Sequence, residues 1–319
     1  MQNNGKNRNA TKNKIMDAQR EVTSPLTGNS NVTLVSMLNS EDIIRRYASE
    51  LNMDVSGLPA KVAIYQCNES GLRFYYPLSM AGDEKFYEEL AKKGANYYSR
   101  WKWEYSAASS FISANTSLLE IGCGNGYFLM EISKKGVQAS GLEFNDYAIQ
   151  NALDQKLNVR KEAIQDHALT HENSYNYVCA FQVFEHVPQI REILLASIKT
   201  LKTGGLLIFG VPNNDSYIFK KDKYHTLNTP PHHILLWDKR SLAQLPTIFP
   251  GIHLIKLLEA PEDKVFRGMC YKLFLQQKIG RNIFSDILLT TTRFIVKNSL
   301  KNIVKFGGGP TVLAIYQKQ

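Results

Sequence analysis

Cysteine is scarce in this chain: four in 319 residues, Cys67, Cys123, Cys179 and Cys270, widely separated. So sparse a set argues against a disulfide framework, and the four read as reduced thiols used as small apolar residues. Long apolar runs are missing too. No stretch approaches the ~18 residues of a membrane span, and the first residues lack a signal-peptide apolar region, so a soluble, cytoplasmic protein is expected. No cluster of His, Cys, Asp or Glu has metal-ligand spacing, so no metal is expected. Acids are nearly absent from one segment: from Lys264 to Lys305 nine Lys or Arg stand against Asp286 alone. The formal charge of +9 therefore belongs largely to that segment.

What the chain does have is organised around Ser117 to Leu129, SLLEIGCGNGYFL. A short apolar strand (Leu118, Leu119, Ile121) carries Glu120, breaks into the alternate glycines Gly122, Gly124 and Gly126, and restarts as a helix at Tyr127. Such a turn lets backbone N–H groups approach a ligand closely, with the positive end of the helix dipole towards it. A dinucleotide fingerprint would need Gly or Ala at position 127, where Tyr127 stands.

The alternate glycines, with an acid two residues before the first, resemble motif I of the class I S-adenosylmethionine (SAM) methyltransferases. Three further segments follow in the order that family uses. VQASGLE ends in Glu143, an acid placed to accept hydrogen bonds from both hydroxyls of a ribose. YNYVCAF runs into QVFEHVP, which resembles the family's fourth-strand motif, and LKTGGLLIFGVPNND resembles its fifth-strand segment, with Thr203 where proline is usual. The resemblance implies a Rossmann-like doubly wound α/β fold with a seven-stranded sheet and SAM as cofactor. It implies cofactor contacts from Glu120, Gly122, Cys123, Gly124, Gly126, Glu143, Phe144, Phe181 and Gln182. Asn145 is expected to cap the helix after the second strand. The third strand falls within Leu157 to Ile164, and Glu162 and Gln165 both remain candidates for reading adenine. The sixth and seventh strands are expected at Ile252 to Leu258 and Thr311 to Gln317.

Around that core the chain divides into a disordered tail (1–22), a small β-rich module (23–78) and the methyltransferase domain (79–319). The module resembles the zinc-ribbon preface of some saccharide-modifying methyltransferases. Of its four ligand positions, Ser24, Thr27, Cys67 and Ser70, only Cys67 keeps a thiol, so loss of the metal is expected. An aromatic stripe from Phe86 to Tyr105 reads as core packing, with Tyr98 and Trp101 as candidates to shield a sulfonium. An insertion over about 262–308, before the last strand, carries Phe284, Ile287, Leu288, Thr291, Phe294 and Ile295 at helical spacing among basic residues. It is expected to be a surface helix, with peripheral contact to an anionic membrane as the alternative.

Methyl transfer to a hydroxyl needs a group to take the hydroxyl proton, and histidine is the natural one. His186 follows the fourth strand beside Glu185, and His232 and His233 follow the stiff Pro230–Pro231 pair. Glu185, His186, His232 and His233 are therefore the catalytic candidates. The cation-dependent acidic pattern is not matched at Gln182 and Glu185, which also points to metal-independent chemistry. A free, nucleotide-linked or lipid-linked saccharide hydroxyl is the expected acceptor, because the module and the PPHH loop resemble saccharide-modifying relatives. A quinone-type or small aromatic hydroxyl, or a non-catalytic SAM-binding protein, are the alternatives. Nucleic acid is not expected as a partner, since the Asn/Asp-Pro-Pro-Tyr/Phe motif of base-modifying enzymes is missing.

Overall fold

A computed structural model describes residues 21–93, 101–279 and 308–319. Its eleven strands are β1 (Val32–Asn39), β2 (Lys61–Cys67), β3 (Arg73–Tyr76), β4 (Ser117–Ile121), β5 (Gln138–Leu142), β6 (Asn158–Arg160), β7 (Tyr175–Phe181), β8 (Leu201–Pro212), β9 (Leu235–Leu236), β10 (Ile252–Glu259) and β11 (Thr311–Lys318). Seven of them form one sheet in the order β10-β11-β8-β7-β4-β5-β6. β4 through β8 pair in parallel, and β11 inserts antiparallel between β8 and β10. This is the Rossmann-like arrangement of the class I methyltransferases.

Both faces of the sheet are buried, which is why its strands read as near-continuous apolar runs. Side chains alternate between faces with period two. Leu119, Ile121, Val178, Ala180, Leu207, Phe209, Val312, Ala314 and Tyr316 join one apolar cluster. Their neighbours Leu118, Cys179, Phe181, Ile208, Leu313 and Ile315 join the other, with Tyr105 and Phe128 from the covering helices. The third strand, β6, is only three residues long because it lies at the sheet edge, bonded on one side to β5.

β1, β2 and β3 form a second, antiparallel sheet, and its fourth strand, β9, comes from far along the chain. The core of this sheet is continuous with one face of the larger one. Within it the four zinc-ribbon positions converge. Thr27 Oγ1 lies 3.6 Å from Cys67 Sγ, the Ser70 N–H donates to the same sulfur at 3.5 Å, and Ser24, Cys67 and Ser70 are buried. Burial pushes the Cys67 thiol up, but hydrogen bonds from Ser24, Ser70 and Thr27 outweigh it and hold the thiol below its ordinary value.

The tail up to residue 20, Tyr98, and the predicted helix over 284–305 lie outside the described residues. The start of the insertion is the helix Lys264–Ile279, which exposes Val265 and Met269. No helix among the described residues is long and apolar enough to cross a membrane.

Candidate functional site

The strand order reverses between β4 and β7, and ligands of open α/β sheets bind at the carboxyl ends of the strands at such a point. The glycine turn occupies it. Gly122, Gly124 and Gly126 have φ of 67°, 52° and 73°, a region that only glycine enters without strain. A Cβ on Gly122 would stand 2.6 Å from Val183 of the loop after β7, and one on Gly126 2.4 Å from Leu157. The N–H groups of Gly122 and Cys123 donate to Leu142 O at 2.8 and 3.2 Å, tying the turn to the end of β5. Glu143 completes that tie. Its Oε2 accepts from Gly124 N at 2.8 Å, and its Oε1 accepts from Phe144 N and Asn145 N at 2.8 and 3.0 Å. The carboxylate that the sequence assigns to a ribose is thus a clamp on backbone amides first.

Directly beneath the turn, Glu120 is buried, and its Oε2 has no hydrogen-bond partner. Burial above all holds its carboxyl well above the ordinary range; Lys102 opposes the shift and Glu143 adds to it. An orphaned acid beside a strained glycine cradle fits a ligand that brings a cationic amino group, as SAM does. Of the other expected contacts, Gln182 sits at the end of β7 with φ of 60° and donates to Glu104 Oε1 at 3.0 Å. Phe144 is exposed at the mouth, and Cys123 is buried. Phe181 turns away into the apolar cluster, 4.8 Å from the Phe128 ring and 5.1 Å from the Tyr105 ring, because residue parity along β7 puts it there.

Past β7 the four catalytic candidates come together. Glu185 is fully buried, and its backbone carbonyl accepts from Ile234 N and Leu235 N, which stitches the PPHH loop to the turn after β7. The Nε2 atoms of His186 and His233 lie 3.7 and 3.9 Å from Glu185 Oε1. The His186 ring centroid is 4.7 Å from that of His232 and 4.9 Å from that of His233. One ring nitrogen from each of the three lies within 4.8 Å of the others. Spacing along the sequence does not show this cluster, because the rings come together across 46 positions.

Against this geometry, a family profile described as "Methyltransferase domain" matches residues 90–247, from the helix before the glycine turn to past the PPHH loop. By that match, residues 90–247 carry a methyltransferase domain. Among curated proteins, the ubiquinone biosynthesis O-methyltransferase of Hydrogenovibrio crunogenus is 30% identical over 107 residues, 32% of this chain and 44% of that protein. The enzyme of the same name from Yersinia pestis is 29% identical over 105 residues, 31% of this chain and 43% of that one. The chain thus spans less than half the length of the curated relatives it matches. A solved SAM-dependent methyltransferase from Archaeoglobus fulgidus is 18% identical, aligning over 74% of this chain and 100% of that one with a TM-score of 0.47.

The electrostatics of the methyltransferase domain's histidine cluster follow from its burial. Burial pushes Glu185 up to about 8 and His186 down to about 4, hydrogen bonds to the carbonyls of His232 and Gln182 working the other way on the imidazole. His232 is driven down to about 3 and His233 well below its usual range, again by burial first. Burial thus works against charge on Glu185 and on all three imidazoles alike.

Three residues escaped the sequence reading. Tyr87 donates to His232 O at 3.0 Å and lies 3.2 Å from His186 Nδ1. It belongs to the aromatic stripe in which Tyr98 and Trp101 had been singled out; Trp101 is half-exposed and packs edge-on against Tyr105. Glu104 is buried beside Gln182, and Asn228 accepts from His233 at 3.1 Å. Among the adenine candidates, Glu162 is engaged with His167 Nδ1 at 2.9 Å.

Proposed function

We propose that this chain transfers a methyl group from SAM to a hydroxyl of a saccharide, free, nucleotide-linked or lipid-linked. The observation that carries the reading is the convergence of Glu185, His186, His232 and His233 beside the glycine turn, at the same carboxyl edge of the sheet. When bound, SAM supplies an electrophilic methyl carbon. Gly122 to Gly126 and Glu143 hold it, with Glu120 beneath its amino-acid end. The remaining task is to bring an acceptor oxygen within about 3–3.5 Å of that carbon and to draw off its proton. The neutral histidine cluster is suited to that task, because it carries imidazole lone pairs at a water-poor edge.

The saccharide class is favoured by the N-terminal module, whose Tyr47 and Tyr75 hydroxyls donate to Thr229 O and Asn228 O and so hold the PPHH loop in place. The names of the curated relatives favour a second reading, a quinone-type aromatic hydroxyl. A SAM-consumption screen over nucleotide sugars, lipid-linked oligosaccharides and catechol-type quinols, read by product mass, separates them. A saccharide gaining the mass of one methylene supports the first reading. Methylation of quinols alone moves the assignment to the second, and absence of SAM binding removes both.

A further inference from the structure

We propose that His186, His232 and His233 bind a divalent transition-metal ion of the zinc class, and that the acceptor hydroxyl oxygen occupies its fourth position. The hydrogen bonds on the far side of each ring carry the argument. His186 Nδ1 is 2.6 Å from His232 O, and His232 Nδ1 is 3.0 Å from Leu227 O. Both partners are carbonyls, which only accept, so each Nδ1 carries a hydrogen. His233 Nδ1 is 3.1 Å from Asn228 Oδ1, whose amide nitrogen is already donating to Asn214 Oδ1. The third Nδ1 therefore carries a hydrogen too. Three imidazoles whose N–H groups are fixed by outer acceptors, with one ring nitrogen of each within 4.8 Å of the others, resemble the way proteins set histidines for a metal; the His232 and His233 rings, stacked 4.4 Å apart at 20°, must rotate to share an ion.

A second observation points the same way. Both carboxylate oxygens of Glu185 are buried and have no hydrogen-bond partner, yet Oε1 stands 3.7 and 3.9 Å from two of the Nε2 atoms. An ion held by these rings would lie against that carboxyl group. Nitrogen ligands favour zinc and its first-row neighbours over magnesium or calcium, and three histidines with one open position is a catalytic rather than a structural zinc geometry. The ring nitrogens within 4.8 Å of one another need to close by roughly an ångström to meet bonds of about 2.0–2.1 Å. His186 is the most exposed of the three, its side chain 14% accessible.

The role assigned to the fourth position rests on the methyl-transfer reading; the binding of the ion does not. Untagged protein, stripped with chelator, is dialysed against zinc and analysed by elemental mass spectrometry, and cobalt(II) is used as an absorbance probe of the site. One ion per chain with a tetrahedral cobalt spectrum is expected in the wild type. H186N and H233N should abolish uptake, H171N should leave it intact, and N228A, which removes only the outer partner of His233, should weaken affinity by ~10–100-fold. Wild-type protein that takes up no ion, or uptake indifferent to H186N and H233N, overturns the proposal. Calorimetric titration with SAM on the same samples keeps the two claims apart: SAM binding without metal uptake sinks the ion alone, and metal uptake without SAM binding sinks the methyl-transfer reading.

Discussion

Glu143 Oε2 and the Gly124 N–H are joined by a 2.8 Å hydrogen bond across 19 residues of sequence, so the acid at the end of β5 holds the glycine turn in its ligand-ready shape. E143A removes the acceptor for three backbone amides at once. Hydrogen bonds to a charged group are worth ~1.5–3 kcal/mol each, so SAM affinity should fall by at least ~10-fold. Isothermal titration measures it; an unchanged affinity would show that the clamp is not needed.

Gly126 sits at φ of 73° with Leu157 where a Cβ would go. G126A should cost about 1–3 kcal/mol from the left-handed backbone and the crowded side chain together. Denaturant unfolding reads this directly, and G251A, at a position open to space, serves as the control.

The burial of Glu120 makes stability depend on pH in a defined direction. Its folded carboxyl titrates above the unfolded value of about 4.3, so in the window above that value the unfolded chain has already released a proton that the folded chain keeps. Stability from this group is therefore fully present below about pH 4.3 and is lost as pH rises through the folded value, at up to ~1.4 kcal/mol per pH unit. E120Q, which cannot ionise, should unfold with a flatter pH profile than the wild type. Parallel profiles would mean that Glu120 is already ionised in the fold.

Tyr87 ties the helix Glu84–Lys93 to the His232 carbonyl and the His186 ring. Y87F keeps the ring packing and removes the hydroxyl. A loss of about 1 kcal/mol, or roughly five-fold in kcat with the SAM affinity unchanged, is expected.

The four converging positions of the N-terminal sheet allow a gain-of-function check. Ser24, Thr27 and Ser70 surround the Cys67 sulfur at the spacing of a zinc ribbon. S24C/T27C/S70C should bind zinc through four thiolates and raise the thermal midpoint, whereas S24C alone should not. Failure of the triple variant to take up zinc would show that the resemblance ends at the spacing.

Much of this protein was legible in the chain itself. Six of the sheet strands could be placed as apolar runs between glycine or helix signals, whereas β6, three residues with only Val159 buried, could only be bracketed within Leu157 to Ile164. The glycine turn, the Asn145 cap, whose Oδ1 accepts from Ala148 N at 2.9 Å, and the acid at Glu143 are likewise set by neighbours in sequence. What those groups touch was less legible. Glu143, the acid expected to accept from a ribose, also braces three backbone amides, and Phe181 faces the core because of its parity along β7.

The sequence by itself determined most of the strands and the glycine turn, since hydrophobic period and glycine placement constrain the backbone without reference to distant residues; the strand order was implied by the family resemblance. Only the tertiary structure decided the histidine cluster. Glu185 and His186 meet His232 and His233 because the Ile234 and Leu235 N–H groups bond to the Glu185 carbonyl, and hydrogen bonds between distant segments have no signature in spacing.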